Sequence, residues 1–458
     1  IFLCLLFSSI SVMFLKGGLL PIVGLFLFVI FYFITRVFYN YLRNDDYYKN
    51  TRQRSSDKKG EKYISKVDDI IDLFYKAVKN QVLEEENIIN YNDYDTANMK
   101  TVRLPHTVCE TPFNYFDEGV YQMISAYRKI IIPKEEWKNK HVFLTIEACA
   151  HESTVFINGK ELITHSCGYT AYKVDLAPYL VWGEDNVLVI KVDSNETLNQ
   201  PPFGNVIDYM TYGGMYREVY LEIKNKSYIK DVFPMVSLID GTVKLSSNVE
   251  IENYNNCTIK QELYTLDNVL VYSFNDSELT HIVNDIKLWD IDNPNLYLLK
   301  TILFNNDVIY DERIDRIGFR TVEFRSDGFY LNNKKVKLRG LNRHQSYPYV
   351  GYAMPKSMQI NDAKILKNKL GLNAVRTSHY PQSHHFINAC DELGLLVFTE
   401  IPGWQHIGDT NWKEKAIVNT RDMVLEYRNH PSIILWGVRI NESMDDDKLY
   451  QQFVFESF

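Results

Sequence analysis

With 458 residues, the chain is longer than one ordinary core and implies two to four domains. Its 50 lysines and arginines against 58 aspartates and glutamates give a formal charge of −8, which argues against the basic stripe of a nucleic-acid binder. Six cysteines, at 4, 109, 149, 167, 257 and 390, show no CxxC pair and no metal-ligand spacing, so they read as reduced, partly buried thiols. Tyrosine (32) and phenylalanine (25) are abundant, as in aromatic-rich strands and in sugar-binding clefts, and composition alone does not separate those uses. Asn195-Glu196-Thr197 and Asn256-Cys257-Thr258 fit the N-glycosylation pattern, which matters only in a secreted chain.

The chain opens without an initiator methionine. Residues 1–15 are almost wholly apolar, and Leu19 to Thr35 form a second apolar run. Each is close to the lower limit for a spanning helix, about 17 residues. Arg36, Arg43, Arg52, Arg54, Lys58 and Lys59 follow, where the positive-inside rule places them beside an anchor. Residues 1–43 thus read as a transmembrane or signal segment, or as translated sequence from outside the gene. The first reading makes the protein membrane-anchored through residues 1–35; the last makes it cytoplasmic. Residues 44–66 are charged and poor in apolar side chains, a linker.

Val67 to Leu83 has helical apolar spacing. From Thr101 the pattern changes to short strand-like runs, among them His141–Ala148, Thr154–Ile157, Asn186–Val192 and Arg217–Ile223. Asn158-Gly159 between two apolar runs is a hairpin signal. A second set follows Tyr228: Val232–Leu238, Thr242–Ile251, Thr258–Thr265, Val269–Phe274 and Tyr297–Phe304. Residues 224–322 have the length of one immunoglobulin-like sandwich.

Beyond Phe324 strands and helices alternate. The strands are Val336–Leu341, Ala374–Thr377, Leu396–Glu400 and Ile433–Val438; the helices are Ser357–Leu370, Ser383–Leu393 and Trp412–Tyr427. This alternation indicates parallel β/α units, and a closed barrel needs eight. In such barrels the C-terminal ends of the strands carry the chemistry. Here they read Asn342-Arg343-His344, Arg376-Thr377-Ser378-His379-Tyr380, Glu400 and Asn441-Glu442. Four successive apolar strands that each end in ionisable or amide groups are difficult to explain as solvated loops.

Leu338-Arg339-Gly340-Leu341-Asn342-Arg343-His344, Asn373-Ala374-Val375-Arg376-Thr377-Ser378-His379-Tyr380-Pro381 and Arg428-Asn429-His430-Pro431-Ser432 with Asn441-Glu442-Ser443 resemble glycoside hydrolase family 2. Upstream, Val102-Arg103-Leu104-Pro105-His106, Phe156-Ile157-Asn158-Gly159-Lys160 and Asp208-Tyr209-Met210-Thr211-Tyr212-Gly213-Gly214-Met215 agree with it. The resemblance covers residues 95–445. It implies a jelly-roll sugar-binding domain (67–223), an immunoglobulin-like β-sandwich (224–322) and the first half of a (β/α)8 TIM barrel (323–458).

The resemblance also implies retaining hydrolysis of terminal β-linked sugars, β-galactosides before β-glucuronides or β-mannosides. Glu442 is then the general acid/base and Asn441 its neighbour at the sugar 2-hydroxyl. His379 and His344 match active-site histidines, with Arg343 beside the latter, and Asp208 matches an acid that reaches the pocket from the jelly roll. Trp404 and Glu400 fall on the rim, where an aromatic can stack on a pyranose or pack between loops. Arg376 pairs with a carboxylate such as Glu400 or contacts the sugar directly. Magnesium or sodium are the ions the resemblance implies. Many family members place a Glu and a His two residues apart as magnesium ligands, where this chain has Trp404-Gln405-His406, so no metal ligand is assigned. Self-association is common among such proteins, but no interface can be read from the chain.

Two departures stand out. Arg439-Ile440 precedes Asn441-Glu442 where the family usually has a glycine, and Arg439 adjusts the pocket's charge on this reading. The family nucleophile is a second Glu on a later strand, and the only glutamate after Glu442 is Glu456, in an apolar run. The expectation is a chain that ends before its nucleophile and is inactive by itself. The competing expectation is a non-catalytic carbohydrate-binding or membrane-tethered module.

Overall fold

The computed structural model describes residues 81–84 and 99–443, apart from 113, 115–116, 198–199, 205–206, 240–241, 254–256, 276–279 and 306–307. The segment 1–43, the linker 44–66 and residues 67–80 of the expected helix lie outside them. The described end of that helix is a correction: Gln81–Glu84 is a strand, because the antiparallel ladder to Ile124–Ile131 takes up its backbone groups. Among the described residues no helix is long and apolar enough to cross a membrane.

The first domain contains β1 (Gln81–Glu84), β2 (Lys100–Thr101), β3 (Ile124–Ile131), β4 (His141–Ile146), β5 (Glu152–Ile157), β6 (Lys160–His165), β7 (Tyr172–Asp175), β8 (Asn186–Asp193) and β9 (Val219–Lys224). They form a six-stranded sheet, β2-β1-β3-β8-β5-β6, and a three-stranded sheet, β7-β4-β9. Burial alternates along β5, where Ser153, Val155 and Ile157 turn inward. These meet Val142, Ile146 and Val192 in one apolar layer. The β5–β6 turn has Asn158 at φ 51° and Gly159 at φ 80°, the pair of positive angles a two-residue hairpin turn demands.

The second domain is a sandwich of β10 (Tyr228–Ile239), β11 (Thr242–Glu252), β12 (Thr258–Thr265), β13 (Leu270–Asn275), β14 (Thr280–Val283), β15 (Tyr297–Asn305) and β16 (Val308–Ile317). Its sheets run β10-β11-β14 and β13-β12-β15-β16. Leu245, Leu263, Leu299 and Leu303 are fully buried between them, each worth roughly 1.5–3 kcal/mol relative to exposure.

A small antiparallel sheet, β17 (Val322–Arg325), β18 (Gly328–Leu331) and β19 (Lys334–Val336), leads into the third domain. The expected strand Val336–Leu341 is therefore two: β19 closes this small sheet, and β20 (Gly340–Asn342) starts a parallel one. Gly340 allows the separate start, since a Cβ there would sit 2.6 Å from the Ala374 carbonyl oxygen. After α1 (Lys356–Lys364), wound on as a π-turn over Ile365–Lys369, come β21 (Ala374–Thr377), α2 (His384–Leu393), β22 (Leu396–Glu400), α3 (Thr410–Tyr427) and β23 (Ile433–Gly437). The four strands are parallel in the order β20-β21-β22-β23.

Helices cover one face of this sheet. Phe386, Trp412, Ala416, Met423 and Tyr427 pack on Val375, Val397 and Ile433. Ser383 caps α2 and Asp409 caps α3, each side chain accepting from a first-turn N–H. The polar tips of all four strands are thereby held at one end.

The two sandwiches meet the barrel units through arginines. Arg217 is buried and donates to the carbonyls of Tyr169 (3.1 Å) and Pro381 (2.7 Å) and to the Tyr427 hydroxyl (3.3 Å). Arg316 donates to Asn388 Oδ1 (2.7 Å) and Asp391 Oδ2 (3.3 Å) of α2, and Arg320 to the carbonyl of Pro431 (2.6 Å).

Candidate active site

Each strand tip contributes through a different partner. Glu400, at the end of β22, is 2% exposed. Its Oε1 lies 2.6 Å from His379 Nδ1, beyond the end of β21, and its Oε2 accepts from Arg376 Nε (3.0 Å) and Nη2 (2.8 Å). A carboxylate can only accept here, so the His379 proton sits on Nδ1 and Nε2 is left for other partners. Arg376 Nη2 also donates to Asn441 Oδ1 at 2.8 Å. One buried carboxylate thus orients a histidine directly and an asparagine through an arginine. Both oxygens of Glu400 accept from the protein, through His379 and Arg376.

Arg343 is held by protein acceptors throughout. It is buried, and each guanidinium nitrogen already has a protein acceptor: Nε and Nη2 reach Asp362 Oδ2 at 3.0 and 2.7 Å, Nη2 reaches Gln359 at 2.8 Å, and Nη1 reaches Gln382. Its plane lies 4.0 Å over the Phe386 ring. The side chain ties β20 to α1 and α2 instead of facing a ligand.

His344 goes the other way from its neighbour. Its Nδ1 is buried with no hydrogen-bond partner. Burial, then the charges of His379, Arg343 and Arg376, push its pKa down to about 4, so the ring is neutral at neutral pH. It stands 5.0 Å from Tyr209 and 5.4 Å from His379, centroid to centroid.

Tyr209 comes from the first domain, on the loop that also carries Asp208. Its ring lies 5.7 Å from His379, 5.8 Å from Tyr380 and 6.5 Å from Trp404, and its hydroxyl is buried without a partner. Asp208 is exposed beside it. Trp404 is 7% exposed, packed with Phe203 and Ile207 and 5.2 Å from His379. Of the two expected uses of Trp404, the packing one is what the structure shows; little of its face is open for stacking.

Glu442 is exposed at the tip beyond β23, with a left-handed φ of 57°. Its Oε2 accepts from Gln405 Nε2 at 3.0 Å. Trp404 and Asn441 form a parallel bridge, and Gln405 N donates to the Asn441 carbonyl at 2.7 Å.

The donors at 404–406 do not suit magnesium or sodium. Trp404 stands where a carboxylate would be needed, and the His406 ring is wedged between Gly204 and Trp412, so close that a Cβ on Gly204 would fall 1.8 Å from it. Among the described residues no group of three His, Cys, Asp or Glu is arranged around a cation. Tyr209 and Gln405 were not singled out from the sequence. Only their positions next to Asp208 and Trp404 point to them.

Two sandwiches followed by parallel β/α units whose strand tips carry Asn-Glu, His and an arginine–carboxylate pair define the architecture of a barrel glycosidase. Residues 83–225 match the sugar binding domain of glycosyl hydrolases family 2, 227–320 the family's central domain and 322–454 its TIM barrel domain. The chain belongs to glycoside hydrolase family 2. It is 48% identical over 378 residues to a β-galactosidase of Thermoanaerobacterium thermosulfurigenes, covering 78% of this chain and 52% of that protein. It is 34% identical to a putative β-glucuronidase of Formosa agariphila, over 78% of this chain and 45% of that one. A solved β-glucuronidase of Bacteroides uniformis superposes with a TM-score of 0.72 at 25% identity, covering 83% of this chain and 49% of the other. The chain spans about half the length of the curated relatives it matches.

Proposed function

We propose that the protein carries the proton-donating side of a retaining glycosidase that cleaves terminal β-linked sugars, β-galactosides first among them, in carbohydrate metabolism. The observation that carries this is Asn441-Glu442 at the tip of the fourth parallel strand, Asn441 held by Arg376 and Glu442 by Gln405. Glycosidic oxygen leaves poorly unless it is protonated, and an exposed carboxyl beside an oriented amide suits that step. His379 Nε2 and the neutral His344 ring would hold sugar hydroxyls, and Asp208 would reach them from the first domain. The two curated relatives named above divide between β-galactosidase and β-glucuronidase, and the higher identity of 48% favours the galactoside.

Retention needs a second carboxylate about 5–5.5 Å from the first. Glu400 is not assigned that role: it is buried and accepts from His379 and Arg376. No second carboxylate is assigned among the described residues, so the acid role of Glu442 is read in a barrel completed from a relative. A chimera joining residues 83–443 to the remaining barrel half of the Thermoanaerobacterium relative tests this: it should hydrolyse nitrophenyl β-galactoside. Glu442→Gln should slow its cleavage of alkyl galactosides by roughly 10²–10⁴-fold. Unchanged alkyl-galactoside hydrolysis in that variant would sink the assignment. Calorimetric titration of the 458-residue protein with galactose and glucuronate separates the two sugars, and Asp208→Asn should weaken only the preferred one. Binding without turnover in the chimera would favour the non-catalytic module. Membrane attachment through residues 1–35 belongs to the same proposal and is checked by carbonate extraction of cell membranes.

A further inference from the structure

We infer that Gln405 is a positioning residue for Glu442, holding the proton donor in place in the absence of a metal-ligating carboxylate at the rim. The inference rests on the reading of Glu442 as the acid, and it goes beyond it by naming what fixes that side chain. Gln405 grips the tip of the fourth strand twice. Its backbone N–H donates to the Asn441 carbonyl at 2.7 Å, and its side-chain amide donates to Glu442 Oε2 at 3.0 Å.

Both residues adopt conformations that L side chains avoid, φ 54° at Gln405 and 57° at Glu442. Positive φ at residues other than Gly, Asn or Asp costs on the order of 1–3 kcal/mol and persists only where surrounding contacts impose it. Two such residues facing each other across one hydrogen bond indicate a built arrangement. Gly403 eases the approach: a Cβ there would stand 2.6 Å from Ile440 Cδ1, which would have to shift beside the Trp404–Asn441 bridge. The amide leaves one Glu442 oxygen without this bond, and a donor to a carboxylate restricts its rotamers without adding a charge. A carboxylate in place of Gln405 would repel Glu442, and an apolar residue would release it.

The test uses the 458-residue protein and needs no turnover. Gln405→Leu, Gln405→Glu, Glu442→Gln and the exchanged pair Gln405→Glu/Glu442→Gln are melted between pH 5 and 8. Gln405→Glu sets two carboxylates against each other, so its midpoint should fall by about 2 °C at pH 8 and recover towards pH 5, where one of the two takes a proton. The exchanged pair restores an amide–carboxylate bond in the opposite sense and should melt with the wild type at both pH values. That rescue is specific to the contact, since a general packing role would not be recovered by exchange. Additive losses in the double variant, independent of pH, overturn the inference. The acid reading fails separately, if Glu442→Gln leaves alkyl-galactoside hydrolysis by the chimera intact while the exchange still rescues stability. In that case the contact is real but positions no proton donor.

Discussion

Glu400 shows how one buried side chain can organise its neighbours. Its two oxygens serve His379 and Arg376 separately, and Arg376 passes the constraint to Asn441. Glu400→Ala would leave the buried His379 imidazole without its acceptor and the half-buried Arg376 guanidinium without its carboxylate, and loss of one partner of a buried pair costs up to about 3–5 kcal/mol. Urea unfolding should report that loss, while Glu400→Gln keeps an acceptor oxygen and should lose less. Arg343→Lys is a second expectation at this scale. Lysine cannot reproduce the fork that meets Asp362, Gln359 and Gln382, so the variant should be less stable with galactose affinity per folded molecule unchanged. A selective loss of sugar affinity would return Arg343 to the ligand. Its place in the sequence, next to His344, suggested the pocket; its direction depended on acceptors 16 to 39 residues away in the chain, which no local pattern displays.

Among the elements, the β/α units were the most legible. Ala374–Thr377 and Leu396–Glu400 read directly from the sequence with the observed ends, because a short apolar run bounded by polar residues admits one strand and little else. The segment 336–341 was misread because its apolar run is continuous although its backbone partners are not: β19 pairs backwards and β20 forwards. Helix ends depend on glycines that differ in their surroundings. Gly394 ends α2 at φ 68° and lies where a Cβ would be 2.4 Å from the Ile291 carbonyl oxygen, whereas Gly371 at φ 66° has nothing within 4 Å. Gly394→Ala should therefore lose more than the roughly 1 kcal/mol of backbone strain that Gly371→Ala loses. Equal melting of the two variants would contradict the contact of α2 with the second domain.

At the scale of the molecule, the first domain docks on α2 and α3 through paired ionisable groups. His385 Nε2 is 2.6 Å from Glu218, His384 Nε2 is 2.9 Å from Glu426, and the Ala171 N–H donates to Glu426 at 2.8 Å. Glu147 lies in this cluster facing His384, Glu218 and Arg217, and burial first, then Glu218, raise its pKa to about 7. A raised carboxyl favours the folded state fully below its unfolded value of 4.5, and that contribution is lost as the pH rises through 7. The buried histidines act oppositely. Burial lowers His151 to about 3 and His106, His165 and His344 to about 4, so their contribution is present above 6.5 and is lost as the pH falls through those values. The Glu147 loss runs between 4.5 and about 7, largely where the histidines gain, so thermal midpoints should rise from pH 4 towards 6.5 and level off by about pH 7, and Glu147→Gln should steepen that rise. An unaltered slope between pH 5 and 7 in that variant would remove Glu147 from the cause.

Strand and helix order, the domain succession and the polar strand tips followed from the chain alone, because periodicity and turn chemistry act over a few residues. The sequence also placed Asn441-Glu442 at a strand end, where an acid can project. Which side chains turn inward was decided by tertiary structure. Arg343 and Glu400 are turned inward by partners distant in sequence, Tyr209 arrives from another domain, and Gln405 meets Glu442 where Gly403 eases the approach of two strand tips. Direction is a property of neighbours in space, and those neighbours exist only once the sheets have formed.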